Sequence, residues 1–69
     1  MVVHWCGTGL SAIPGLKKLI IDGNDVIVWN RTVSKALRAL EGVQATINEF
    51  NVDTLEQSLT SGDIIVSML

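Results

Sequence analysis

A glycine turn near the amino terminus constrains the fold of this chain more than any other feature. Residues 6–12 read CGTGLSA, a G-x-G-x-x-A pattern that follows the apolar run 2–6 directly. Gly7 lets the chain leave a strand through backbone angles that a Cβ would penalise, and Gly9 allows a close approach of another group to the backbone. Ala12 allows a helix to pack closely on the strand. The pattern therefore predicts a strand, a tight turn and a helix in that order.

The start of this helix predicts a phosphate site. With a start near Leu10 or Ser11, the free N–H groups and the positive end of the helix dipole face the turn, and Pro14 fits the first helical turn. A glycine turn between a strand and a helix is a dinucleotide-binding fingerprint. Thr8 is either a phosphate contact or a solvated turn residue. Ser11 is favoured as a helix cap over a phosphate ligand.

The rest of the chain alternates between apolar strands and amphipathic helices. The first helix is predicted over residues 10–22 and ends at 23–24, and the continuous apolar run 26–29 is typical of a strand buried on both faces. Ser34 is predicted to cap a second helix with Leu37 and Leu40 on its apolar stripe and Gly42 as its stop. A third strand over residues 44–50 is more polar, which suits an outer position.

The last third of the chain repeats the pattern. Residues 53–56 (DTLE) resemble a capping box that opens a third helix, with Leu55 and Leu59 buried, and residues 61–63 close it. A fourth strand begins at Ile64. The order β-α-β-α-β-α-β predicts an α/β protein with a Rossmann-like doubly wound parallel sheet, of which this chain is the first portion.

This fold predicts where the functional residues meet. The fourth strand is expected beside the first, on the opposite side from the second and third, which leaves a crevice above the carboxyl ends of the strands. Gly9, Arg31 and Ser67 all follow or end strands and should converge there. Residues 1–69 are therefore interpreted as the N-terminal part of a dinucleotide-binding domain that lacks its catalytic and substrate domain.

The end of the second strand indicates which dinucleotide binds. Sites for NAD usually place a carboxylate there to accept from the ribose 2'-hydroxyl, whereas this chain has Asn30, Arg31 and Thr32. A guanidinium can pair with a 2'-phosphate in bidentate fashion and stack on adenine. The alternative is that Arg31 is a solvated loop residue. Together with the glycine turn, the pattern favours NADP.

Other polar and aromatic residues receive weaker interpretations. Asp53 could accept from the adenine amino group, although helix capping is favoured. His4 is expected to be packed or hydrogen-bonded rather than catalytic, and no role is assigned to it. Trp5 and Trp29 are expected to be packing residues, and Cys6 a small buried thiol. No metal ligand set or catalytic residue is predicted within the chain.

Composition narrows the class of protein. The five cations and seven acidic residues give a net charge of −2 and form no basic stripe, so nucleic acid is not expected as a partner. The chain has no apolar run long enough for a membrane helix and no leader-like start, so a cytoplasmic location is expected. The oligomeric state, including a homo-oligomer, stays open.

Three segments together resemble one family. Residues 4–9 (HWCGTG), 29–32 (WNRT) and 63–69 (DIIVSML) look like the N-terminal NADP-binding region of saccharopine dehydrogenase-like proteins. The resemblance implies an NADP-dependent oxidoreductase in which a separate domain binds a small amino-acid-derived substrate and supplies the catalytic groups. It implies pyrophosphate contacts at Gly7, Thr8, Gly9, Leu10 and Ser11, ribose-phosphate contacts at Asn30, Arg31 and Thr32, and contacts to the middle of the cofactor at Ser67, Met68 and Leu69.

Three alternatives stay open. The chain also resembles the beta-hydroxyacid dehydrogenase group at residues 30–32 and 67–69, although that group usually has a third glycine where this chain has residues 10–12 (LSA). A second alternative is a non-enzymatic nucleotide-sensing module, against which Asn30 counts, because such modules often keep an acid there. The third is a fold that has lost its cofactor.

Overall fold

The computed structural model describes residues 1–7 and 12–67. Strands and helices alternate along these residues, as the apolar pattern predicts. The strands are β1 (Val3–Cys6), β2 (Val26–Asn30), β3 (Thr46–Glu49) and β4 (Ile64–Ser67), and the helices are α1 (Ile13–Ile21), α2 (Val33–Ala39) and α3 (Val52–Ser58). The chain is thus an α/β protein. None of the helices in the described residues has both the length and the apolar character needed to cross a membrane.

The four strands form one sheet in the order β3-β2-β1-β4, and all its pairs are parallel. The predicted position of the fourth strand, beside the first and away from the second and third, is confirmed. The outer position of β3 is confirmed too, although this strand is shorter than the predicted segment 44–50. The register places Cys6 opposite both Trp29 and Ser67, so three carboxyl ends lie side by side.

The hydrophobic core lies on one face of this sheet. Strand alternation puts Val3 and Trp5 on the same face as Val26 and Val28, which are their register partners in β2. The helices and their ends complete the core with Ala12, Leu16 and Leu40, all of them buried. The small side chain of Ala12 is 7% exposed, as expected for the last position of the G-x-G-x-x-A pattern.

Helix α1 ends at a glycine in the left-handed region. Gly23 has a φ of +90°, and its N–H donates to the Ile20 carbonyl at 3.1 Å. The Asn24 N–H donates to the Leu19 carbonyl at 3.2 Å, which completes a Schellman motif. The predicted stop at 23–24 is confirmed. At the other end, Ala12 is the N-cap and α1 begins at Ile13, later than the predicted start near Leu10 or Ser11, and Pro14 lies in the first turn as expected.

Helix α2 differs from its prediction at two positions. Thr32, rather than Ser34, is the N-cap residue, and Val33 begins the helix. Leu37 is 58% exposed, whereas Ala36 and Leu40 are buried. The predicted stripe through Leu37 is wrong because residues 36 and 40, one helical turn apart, share the face toward the sheet, and this short helix buries no wider surface.

Helix α3 also begins differently. The side-chain oxygen of Asn51 accepts from the Thr54 N–H at 3.2 Å, so Asn51 is the cap and Asp53 lies inside the first turn. The predicted capping box at 53–56 is therefore wrong. Leu55 and Leu59 are half-buried rather than buried. The predicted start of β4 at Ile64 is confirmed.

Candidate functional site

The exit from β1 has the geometry that the glycine turn requires. Gly7 has a φ of +96°, a region that side chains with a Cβ rarely adopt. Its N–H donates to the Trp29 carbonyl at 2.8 Å, which holds the end of β1 against β2. The next four residues, Thr8, Gly9, Leu10 and Ser11, lie outside the described residues. Their contacts with a pyrophosphate stay predictions.

Among the described residues, no side chain caps the start of α1. The N-cap position is held by Ala12, which makes no side-chain cap hydrogen bond because it has no side-chain oxygen. No acidic residue lies in the first turn of α1. The positive end of this helix therefore faces no neutralising group of its own first turn, which suits an anion.

At the end of β2, one side chain is buried and the next two are exposed. Asn30 is 9% exposed, and its side-chain amide donates to the Thr32 carbonyl at 2.8 Å. Arg31 and Thr32 are exposed. The ion pairs within residues 1–7 and 12–67 join His4 to Asp63 and Lys18 to Asp22, so no described carboxylate neutralises Arg31. Its guanidinium is available to a ligand.

Ser67 completes the row of strand ends. It is the last residue of β4, it is exposed, and it lies opposite Cys6 in the register. Arg31 and Ser67 therefore lie at the same carboxyl edge of the sheet, on either side of β1. Met68, Leu69 and Gly9 lie outside the described residues. The predicted meeting of Gly9 with Arg31 and Ser67 at this edge therefore stays a prediction.

Asp53 lies in α3, the helix that follows β3. It is exposed in the first turn of α3, where it lines a shallow surface depression with Glu56 and Gln57. The favoured capping role is wrong, because Asn51 caps the helix. A contact between Asp53 and the adenine amino group stays a prediction.

A buried polar network on the other face of the sheet was not predicted from the sequence. His4 is fully buried, and its Nδ1 accepts from the Trp29 indole N–H at 3.1 Å. An accepting Nδ1 carries no proton, so Nε2 carries it and donates to the Asp63 carboxylate at 3.0 Å. The expectation that His4 is hydrogen-bonded is confirmed. Its partners lie far along the chain, where no local spacing rule would find them.

The same network lowers the pKa of Asp63. The backbone N–H of Thr60, the His4 side chain and the backbone N–H of Val2 all donate to this carboxylate and stabilise its charged form, so its pKa lies well below the usual range. Burial raises the pKa of the Cys6 thiol, as expected for an unreactive structural cysteine.

Trp5 and Trp29 are both buried packing residues, as predicted, but their N–H groups differ. The Trp29 indole N–H has His4 as its partner, whereas the buried Trp5 indole N–H has none among the described residues.

Within residues 1–7 and 12–67, no group of three or more His, Cys, Asp or Glu side chains is placed to hold a metal ion. No protein-family model, curated protein or solved structure matches the chain.

Proposed function

We propose that this chain forms the first part of a Rossmann-like NADP(H)-binding domain of an oxidoreductase. One observation carries the proposal. A left-handed glycine ends β1 ahead of α1, whose start has no side-chain cap among the described residues. Arg31, which pairs with no described carboxylate, follows the neighbouring strand at the same edge of the sheet. The first feature suits a pyrophosphate, and the second suits an additional phosphate on the adenosine ribose.

Electrostatics favours NADP over NAD. A 2'-phosphate carries roughly two negative charges near neutral pH. The end of β2 presents the cation Arg31 and the neutral Asn30, whereas an acid at this position would repel the phosphate. The exposed hydroxyl of Thr32 and the exposed ammonium of Lys35 lie nearby in sequence and can add donors.

The chemistry of such a protein is carried by the nicotinamide, which accepts or donates a hydride while the protein orients it. The resemblance to saccharopine dehydrogenase-like proteins supports a small amino-acid-derived substrate. On this proposal the catalytic residues belong to a domain outside residues 1–69. The chain contributes cofactor binding and cofactor choice.

The test is a calorimetric titration of the protein with NADPH and with NADH. We expect tighter binding of NADPH, and we expect Arg31→Ala to weaken it roughly 10- to 100-fold, since hydrogen bonds between charged groups contribute about 1.5–3 kcal/mol. NADH affinity should change less than about twofold. Arg38→Ala is the matched control, because Arg38 is exposed in the last turn of α2. Equal affinity for the two cofactors, or a preference for NADH, would contradict the proposal.

A further inference from the structure

The side chain of Asn30 is committed to the protein itself. A carbonyl oxygen can only accept, so the atom 2.8 Å from the Thr32 oxygen must be the amide nitrogen of Asn30. The backbone carbonyl of Asn30 accepts from the Phe50 N–H at 2.9 Å. Asn30 therefore joins the end of β2 both to the turn that follows it and to the segment after β3.

The Thr32 carbonyl is the point where this turn meets α2. Besides the Asn30 amide, it accepts from the backbone N–H groups of Lys35 at 3.2 Å and Ala36 at 3.3 Å. Thr32 makes no side-chain cap hydrogen bond, so the start of α2 has no cap from its own N-cap residue. The Asn30 amide thus supports the helix start from outside and fixes the two residues between the elements.

We propose that Asn30 is a positioning residue that holds the 30–32 turn and thereby displays Arg31 to the ribose phosphate. This inference rests on the proposed function. The neutral amide at position 30 is favoured because it donates a further hydrogen bond to the Thr32 carbonyl, and not only because a 2'-phosphate disfavours an acid. Cofactor choice at this site then depends on turn geometry as well as on charge.

The inference gives an unusual expectation for Asn30→Asp. In NAD sites a carboxylate after the second strand accepts from the ribose 2'-hydroxyl, so charge alone predicts a gain in NADH affinity. In this chain the carboxylate would face the Thr32 carbonyl, and two acceptors at this distance repel. The β2–β3 register also places Glu49 opposite position 30, which adds a like charge on the neighbouring strand. We therefore expect the turn to loosen and both cofactors to bind more weakly.

The experiment compares Asn30→Asp and Asn30→Ala with Asn48→Asp. Asn48 is half-buried in the adjacent strand and makes no side-chain hydrogen bond within the described residues, so its replacement by Asp adds the same charge without breaking a described hydrogen bond. The readouts are the affinities for NADPH and NADH and the amide exchange rates of Lys35 and Ala36. We expect both Asn30 variants to speed this exchange about tenfold and to weaken both cofactors about fivefold or more, with Asn48→Asp near wild type.

Each outcome decides the inference. An increase in NADH affinity in Asn30→Asp, or unchanged exchange in both Asn30 variants, would overturn it. If the variants do not fold, the wild-type chain still tests it by NMR: slow exchange of the Asn30 side-chain NH₂ supports the inference, and exchange at the rate of free asparagine overturns it. If the wild type binds neither cofactor, the proposed function fails, and the exchange data alone decide whether Asn30 holds the turn.

Discussion

The imidazole of His4 lies 3.0 Å from the carboxylate of Asp63, although 59 positions separate the two residues in sequence. The contact joins β1 to the turn that precedes β4, and the indole of Trp29 extends it to β2. One fully buried histidine thus links three neighbouring strands of the sheet. Because each of its ring nitrogens has a partner, its burial leaves no unsatisfied polar atom.

Acid should destabilise the protein through Asp63. Its pKa is lowered in the folded state, so its contribution to the free energy of unfolding is fully present above its unfolded pKa of about 3.9 and is lost as the pH falls toward the folded value. Urea unfolding from pH 6 to pH 2 should show stability falling below about pH 4. Asp63→Asn should flatten this fall, whereas Asp22→Asn, at an exposed ion pair, should keep it. An equal fall in Asp63→Asn and wild type would refute the assignment.

The two tryptophans should respond differently to the same substitution. Trp29→Phe removes a buried hydrogen bond to His4, whereas Trp5→Phe removes an N–H group that has no partner among the described residues. Both changes shrink a buried ring. The difference should therefore isolate the hydrogen bond, and we expect Trp29→Phe to be more destabilising by about 1–3 kcal/mol. Denaturant unfolding followed by circular dichroism measures it, and equal losses would show that the Trp29–His4 bond contributes nothing.

Replacing a buried leucine should destabilise the protein more than replacing an exposed one. Leu16 in α1 is fully buried, so Leu16→Ala should cost about 2–5 kcal/mol in lost burial and cavity formation. Leu37 in α2 is 58% exposed, and Leu37→Ala should stay within about 0.5 kcal/mol of wild type. Free energies of unfolding from denaturant titration provide the test. A comparable loss in Leu37→Ala would mean that α2 buries the stripe predicted from the sequence.

Replacing two glycines with alanine should change the stability of the protein in opposite directions. Gly15 lies within α1 with open space where a Cβ would be, so Gly15→Ala should stabilise the protein by about 0.5–1 kcal/mol. Gly23 has a φ of +90°, and Gly23→Ala should destabilise it by about 1 kcal/mol or more. Melting temperatures suffice to check the signs. A stabilised Gly23→Ala variant would argue against the Schellman ending of α1.

The close packing of α1 on the sheet should matter for cofactor binding. On the proposed function, Ala12→Leu would displace the helix start from the strands, with an overpacking cost of about 1–3 kcal/mol. NADPH and NADH should both bind more weakly, in contrast to Arg31→Ala, which should affect NADPH alone. Titration with both cofactors distinguishes the two effects. Unchanged affinity in a folded Ala12→Leu variant would separate the helix start from the binding site.

Local chemistry explains which sequence predictions are confirmed. The alternation of strands and helices follows from apolar periodicity, and the end of α1 follows from Gly23. The predictions that are wrong concern caps and short stripes. Asn51, and not Asp53, caps α3 by accepting from the Thr54 N–H. Leu37 is exposed because α2 buries Ala36 and Leu40 on the face toward the sheet. Such outcomes depend on which of several neighbouring residues with similar capping or burial propensity occupies the position.

Some features of the candidate site could likewise be predicted from the sequence, and one could not. Its strand ends, the glycine exit at Gly7 and the exposed position of Arg31 could be anticipated, because parallel strands bring their carboxyl ends to one edge of a sheet. The inward bond of Asn30 could not. An amide side chain can serve a ligand or a nearby carbonyl equally well, and only the folded turn determines which acceptor lies within reach.

The sequence by itself determined the order of the elements and the glycine at which α1 stops, because these depend on residues a few positions apart. The tertiary structure alone decided that His4 contacts Asp63 and Trp29, and that the Trp5 indole N–H has no such partner among the described residues. The physical reason is register. Hydrogen bonds between residues distant in sequence form only after the strands have paired, and apolar periodicity does not encode which polar atoms the pairing brings within 3 Å.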